Sequence, residues 1–137
     1  MISIETLIEA QIVQISLDKE GAHAEFEIRS ADRRMHWHLI ANGIDEFLIQ
    51  DMRLNNIIDD ILVYDYHDAE NEDFSAYLYD LLAGKEISPS DASSTFLQAR
   101  IKSFISGENK LWVIRPIYGA LIVILAKEIF IRENDRV

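Results

Sequence analysis

The chain has 137 residues, no cysteine and a formal net charge of −11. At 49% hydrophobic and 27% charged, with two prolines, it has the composition of a folded protein, long enough for one domain (1–137) that buries roughly two-thirds of its unfolded surface. Lack of cysteine excludes disulfides, thiolate catalysis and cysteine-based zinc sites, and the acidic balance argues against nucleic acid or anionic membrane as a partner, because phosphate binding needs clusters of Lys and Arg.

The first ten residues carry Glu5 and Glu9 and no base, so no signal peptide is expected. The longest apolar run, Ile117 to Ala126, is ten residues, half of the roughly twenty that a membrane-spanning helix needs. A soluble, cytoplasmic protein is expected.

In chain order, Ile12, Val13, Ile15 and Leu17 form a β-rich run, and Asp18 to Gly21 a polar turn. Ala22, Ala24, Phe26 and Ile28 then alternate with His23, Glu25 and Glu27, the period of a half-buried strand, so a hairpin is predicted. From Arg33 to Asn42 a second alternation puts Met35, Trp37 and Leu39 on one face and His36 and His38 on the other. Gly43 breaks it, and Ile44 to Ile49 reads as strand or short turn. Ile57 to Tyr66 is apolar on both faces at its centre, as an interior strand is.

The period then changes. Phe74, Tyr77, Leu78, Leu81 and Leu82 recur at helical spacing, with Glu72 and Asp73 where the helix dipole favours acids and Gly84 placed to end the helix. Phe74, Leu78 and Leu81 make its core stripe, leaving Ala76, Tyr79 and Asp80 outward. Residues 95–106 fit either a strand or a helix. Leu7 to Ile12 resembles Phe96 to Ile101, each ahead of a glycine-containing turn and a second apolar strand. Leu39-Ile40-Ala41 before Phe47-Leu48-Ile49 echoes Ile124-Leu125-Ala126 before Ile129-Phe130-Ile131. That comparison favours the strand at 95–106 and predicts two three-stranded meanders flanking an acidic strand and helix. Pro116 to Ala120 reads as a backbone kink before the last strand, with Gly119 permitting unusual dihedrals. The expected fold is an α+β domain: a predominantly antiparallel sheet of about six to seven strands, one clear helix (about 72–83), and a second helix left open at 95–106.

No motif names a reaction. Asp59-Asp60 and Asp45-Glu46 are adjacent in sequence, so on a strand their members face opposite ways and share no site by spacing. Ser88, Ser90, Ser93 and Ser94 lack a nucleophile elbow, the five glycines form no phosphate-binding loop, and Asp65 to Asp73 lacks the glycine and glutamate of a calcium loop. His36 and His38, two apart on a strand, project from one face. With nearby carboxylates, such as Asp65 beside His67, and with His23, they are the residues a metal-assisted enzyme would use. Nothing in the spacing fixes a ligand count, and no metal or cofactor is expected.

One segment stands out by charge. From Arg53 to Lys85 thirty-one residues pass without a base, and eight are acids: Asp59, Asp60, Asp65, Asp68, Glu70, Glu72, Asp73 and Asp80. Four of the five tyrosines (Tyr64, Tyr66, Tyr77, Tyr79) lie in the same window. Tyrosine anchors interfaces because it covers area with few torsions, and crowded like charges are relieved by a basic partner. The expected contacts are Tyr66, Asp68, Glu70, Glu72, Asp73, Tyr79 and Asp80, with Asp59 and Asp60 inside the strand and serving structure.

In size, charge and the segment Asp59 to Asp80, the chain resembles the small acidic immunity proteins of bacterial polymorphic and contact-dependent toxin systems. The resemblance implies a non-enzymatic inhibitor, an antitoxin that binds a basic toxin domain, often a nuclease, and blocks its active site or substrate surface. It implies no particular residues. The alternatives are the metal-assisted enzyme using His36 and His38, and a structural homo-oligomer joined through Ile-rich edge strands.

Overall fold

Alternation decides the first half of the protein. Ala24, Phe26 and Ile28 are fully buried while the residues between them are half exposed, so this strand has one wet face and one face in the core. The computed structural model describes residues 2–4, 7–65, 67, 77, 99 and 102–133. Its strands are β1 (Ile2–Ile4), β2 (Gln11–Asp18), β3 (His23–Arg29), β4 (His36–Gln50), β5 (Asn56–Tyr64), β6 (Lys110–Tyr118) and β7 (Leu121–Glu133). Each pairs antiparallel with its neighbours. The predicted hairpin is β2–β3, and the predicted interior strand is β5, which ends at Tyr64 instead of Tyr66.

The pairings close on themselves. They run β2–β3–β4–β7–β6–β5 and return to β2, making an antiparallel barrel of six strands. The seam is short: Gln11 opposes Ile57 and Ile12 opposes Asn56. It is extended by Glu9 N–H to Ile58 O and Ile58 N–H to Ala10 O, both 2.8 Å. β1 then lies along β5 from Ile61 to Val63. Six of the seven strands are therefore members of a ring, and β1 lies outside it, paired with β5 alone among the described strands.

One strand bends to make closure work. Of the two readings of Ile44 to Ile49, strand and short turn, the strand is found, and β4 runs on through the break at Gly43. It turns there (φ 65°) and slips register between Ile44 and Glu46, then pairs with β7 as far as Gln50. Such irregularities let one strand serve two walls of a barrel. A Cβ at Gly43 would press on the Lys127 stem at 3.1 Å.

Phe26, Ile28, Leu39, Ile58, Ile61, Ile114, Ile122 and Ile124 fill the barrel interior. Leu62, Tyr64, Leu111, Val113, Val123 and Leu125 point the other way and form a second cluster under Phe104, with Tyr77 packed against it. β5, β6 and β7 are thus buried on both faces, which is why their sequences run apolar without alternation.

Helix is scarce among the described residues, which are mostly antiparallel β, and the α+β class expected from sequence is not confirmed. Residues 102–105 are helical, as is Ala99, which overturns the strand reading of 95–106. The turn ends where Gly107 (φ 81°) donates its N–H to Phe104 O at 3.0 Å, a glycine-terminated helix end. Of the helix predicted at 72–83 only Tyr77 is described, and it is helical; the rest lies outside the described residues. The two meanders exist with one change: the second begins with β5, not with 96–101, and comprises β5–β6–β7.

Asn56, buried between the β4–β5 and β6–β7 connections, ties them together. Its Oδ1 accepts from Arg53 N–H (3.1 Å) and Ala120 N–H (2.9 Å), and its Nδ2 donates to Arg53 O (2.7 Å). The predicted kink at Pro116 to Ala120 is the tight turn into β7. Gly119 adopts φ 91° there, and a Cβ on it would meet Asn55 O at 2.8 Å and collide with Asn56 Oδ1. Gly119→Ala is expected to cost about 2–3 kcal/mol, read as a lower urea midpoint with an unchanged slope.

Candidate functional site

The acidic window begins on β5, and its acids divide as the strand's pleat divides them. Asp60 points outward, onto the same face as Leu62 and Tyr64, and lies opposite Arg115 of β6. The guanidinium grips it with two bonds, Nε to Oδ1 at 2.6 Å and Nη2 to Oδ2. Arg115 supplies the base that the window lacks, from a strand 55 residues away. Its hydrogen bond holds the Asp60 carboxyl below its ordinary value, against a smaller opposing effect of burial. Asp60, followed by Tyr77, raises the guanidinium in return. Asp59 faces solvent, and Asp65 ends the strand by accepting His67 N–H at 2.9 Å.

The tyrosines also divide. Tyr64 is fully buried, and Tyr77 stands 6.4 Å from it, ring to ring, while hydrogen-bonding Arg115. Tyr77 thus packs against the outer face of β5 and β6. The residues expected to meet a partner, namely Tyr66, Asp68, Glu70, Glu72, Asp73, Tyr79 and Asp80, lie outside the described residues. Asp60 serves structure, as expected; the role of Arg115 was missed. It is the lone charged residue between Lys110 and Lys127, and a single base inside an apolar run is a signal for a partly buried ion pair.

His36 and His38 share the outer face of β4 with His23, Glu25 and Glu27 of β3, as their spacing predicts. They converge on no common point. His36 Nε2 accepts from Arg29 Nε at 3.0 Å, which puts the ring hydrogen on Nδ1, 3.8 Å from Glu27 Oε1. His38 Nε2 lies 3.9 Å from Glu25 Oε1, an oxygen that Arg132 also approaches at 3.8 Å. His23 lies beyond the other oxygen of Glu25 at 3.9 Å, its Nδ1 bonded to Asn42 Oδ1 at 2.6 Å. Asn42 donates onward to Glu128 at 3.0 Å, so its oxygen is the acceptor and His23 Nδ1 carries the hydrogen. His23 and His38 thus flank the two oxygens of Glu25 while His36 faces Arg29 and Glu27, and no cluster of three or more metal-ligating side chains occurs among the described residues.

Among the described residues no helix is long and apolar enough to cross a membrane. The fold is a closed antiparallel β-barrel, with Tyr77 and Phe104 of the chain between β5 and β6 packed on its outer face. Comparison with protein families, with curated proteins and with solved structures gives no match.

Arg115→Met strands Asp60, whose side chain is 18% exposed. A loss of about 1–2 kcal/mol near pH 7 is expected, less than a buried pair would show, because the guanidinium is 42% exposed. Since Asp60 is depressed in the folded state, its contribution is complete above the ordinary carboxyl value of 3.8 and is lost as pH falls through the depressed one. Urea unfolding across pH should show a constant gap between wild type and variant from about pH 7 to 5, closing below about pH 4.

Proposed function

We propose that this protein is a non-enzymatic binding domain that neutralises a basic protein partner, in the manner of a cytoplasmic immunity protein acting on a toxin domain. The observation that carries the reading is charge placement: eight acids and no Lys or Arg between Arg53 and Lys85, two of the acids on β5 and six in the connection that follows it. One of those acids, Asp60, is satisfied by the barrel itself. Tyr64 and Tyr77 belong to the packing, which leaves Tyr66 and Tyr79 as the aromatic candidates for contact. Helical spacing supports the second of these, since Tyr77 faces the barrel and Tyr79 follows it by about 200° around a helix. Asp68, Glu70, Glu72, Asp73 and Asp80 complete the proposed surface.

A barrel suits this task. It holds a charged connection at both ends, so that less ordering entropy is lost when a partner docks.

With a toxin domain encoded beside this gene as the partner, the association rate should fall at least tenfold between about 10 and 300 mM salt, while the dissociation rate changes little. Replacing Asp68, Glu70, Glu72 and Asp73 together by Lys should abolish that dependence. An association rate indifferent to salt, or unchanged by the four substitutions, contradicts the proposal.

A further inference from the structure

At one end of the barrel a groove opens between the β2–β3 turn and the second half of β4. β2 ends at Asp18 and β3 begins at His23, whereas β4 runs on past both, and the space between holds about 370 Å³. That is the lower range of a site for a small ligand or a single large side chain.

Leu17 pairs with Ala24 and so shares the face that elsewhere fills the barrel, yet it is 57% exposed. Ile44 and Phe47 complete the apolar floor, and Phe47 is fixed by stacking on Phe26, ring centroids 5.9 Å apart. Asp18, Asp45 and Glu46 line the same groove together with Lys19. Asp18 is held in place by the Gly21 N–H, which donates to its Oδ1 at 3.0 Å. An adjoining cavity shares Ala22, Ile44 and Asp45 with the groove, and there the Lys127 stem already lies flat across Gly43. The surface next to the groove therefore accommodates the methylenes of one long cationic side chain.

We propose that the groove receives an arginine side chain from the basic partner inferred above, and the inference rests on that reading for the partner's charge. An apolar floor beside carboxylates matches a side chain that is aliphatic along its stem and cationic at its tip. Leu17 and Phe47 cover the methylenes, and the guanidinium lies over the Phe47 ring and donates to the carboxylates of Asp18 and Asp45. Arginine fits better than lysine because its planar, weakly hydrated head gives up less water on entering a half-open groove. The site lies on β2 and β4, apart from the connection between β5 and β6, so the partner would be held at two places.

The test is an NMR titration of the full chain with N-acetyl-arginine amide, and in parallel with its neutral isostere N-acetyl-citrulline amide. The arginine probe should shift the backbone amides of Leu17, Ala22, Ile44 and Phe47, saturating at millimolar concentration. Citrulline should bind at least threefold more weakly, and Asp45→Asn should weaken arginine about threefold, the range of an exposed ion pair. Leu17→Ser, at an exposed position that leaves folding intact, should weaken both probes alike. The proposal is overturned if the two probes bind equally, if the shifts lie outside the groove, or if Asp45→Asn and Leu17→Ser both leave arginine binding unchanged. A partner association rate left unchanged by the four substitutions at 68–73, with an intact arginine response, would contradict the reading of the other surface alone, so the two failures are distinguishable.

Discussion

An antiparallel sheet with one apolar face must cover that face, and this one does so by curling until β5 meets β2. Closure at that seam is the constraint on which the remaining structure depends. It places β5 between β2 and β6, encloses Phe26, Leu39 and Ile122 with partners from the opposite wall, and requires β4 to bend at Gly43. The seam itself carries few hydrogen bonds: two register pairs and the two bonds made by Glu9, Ala10 and Ile58. Its strength comes from what it encloses. Ile12 and Ile58 are buried on either side of it, and losing the seam would expose the interior at about 25 cal/mol for each Å² of apolar surface.

Closure has a second consequence. Once the interior is filled by one face of β5, β6 and β7, the apolar residues on their other face need a cover, and Phe104 and Tyr77, from the chain between β5 and β6, supply part of it. Asp60 and Arg115 stand beside that second cluster. Charge and packing therefore meet at one place, where Arg115 of the barrel satisfies Asp60.

Local pattern in the sequence revealed what local pattern determines. The β2–β3 hairpin was legible from alternation at Ala24, Phe26 and Ile28, and β5 from apolar residues on both faces. The segments 39–49 and 124–131, which echo one another in sequence, lie side by side, Ala41 opposite Ile129 and Phe47 opposite Ile124, a pairing that the echo did not predict. Long-range partners were not legible. Nothing near Asp60 names Arg115, and nothing near Asn56 names Ala120. Residues 102–105 misled because Leu97, Ile101 and Ile105 satisfy both the helical and the strand period. Gly107, three residues after Phe104, was the cue that favoured a helix end. Gly43 was recognised as a break because glycine weakens a strand; in a barrel wall the same residue is what allows the strand to turn. For the candidate site, the reading of Asp59 and Asp60 as structural holds at Asp60, paired with Arg115, and not at Asp59, which faces solvent; Tyr66 and Tyr79 lie outside the described residues.

Closure can be measured amide by amide. In native-state hydrogen exchange the Ile58 amide, bonded across the seam to Ala10, should exchange only by global unfolding, with the same free energy as the amides of Phe26 and Leu39 in the opposite wall. If Ile58 instead opened several kcal/mol below them, as a sheet edge does, the barrel would not be closed and the account of how the acidic connection is held would fail with it.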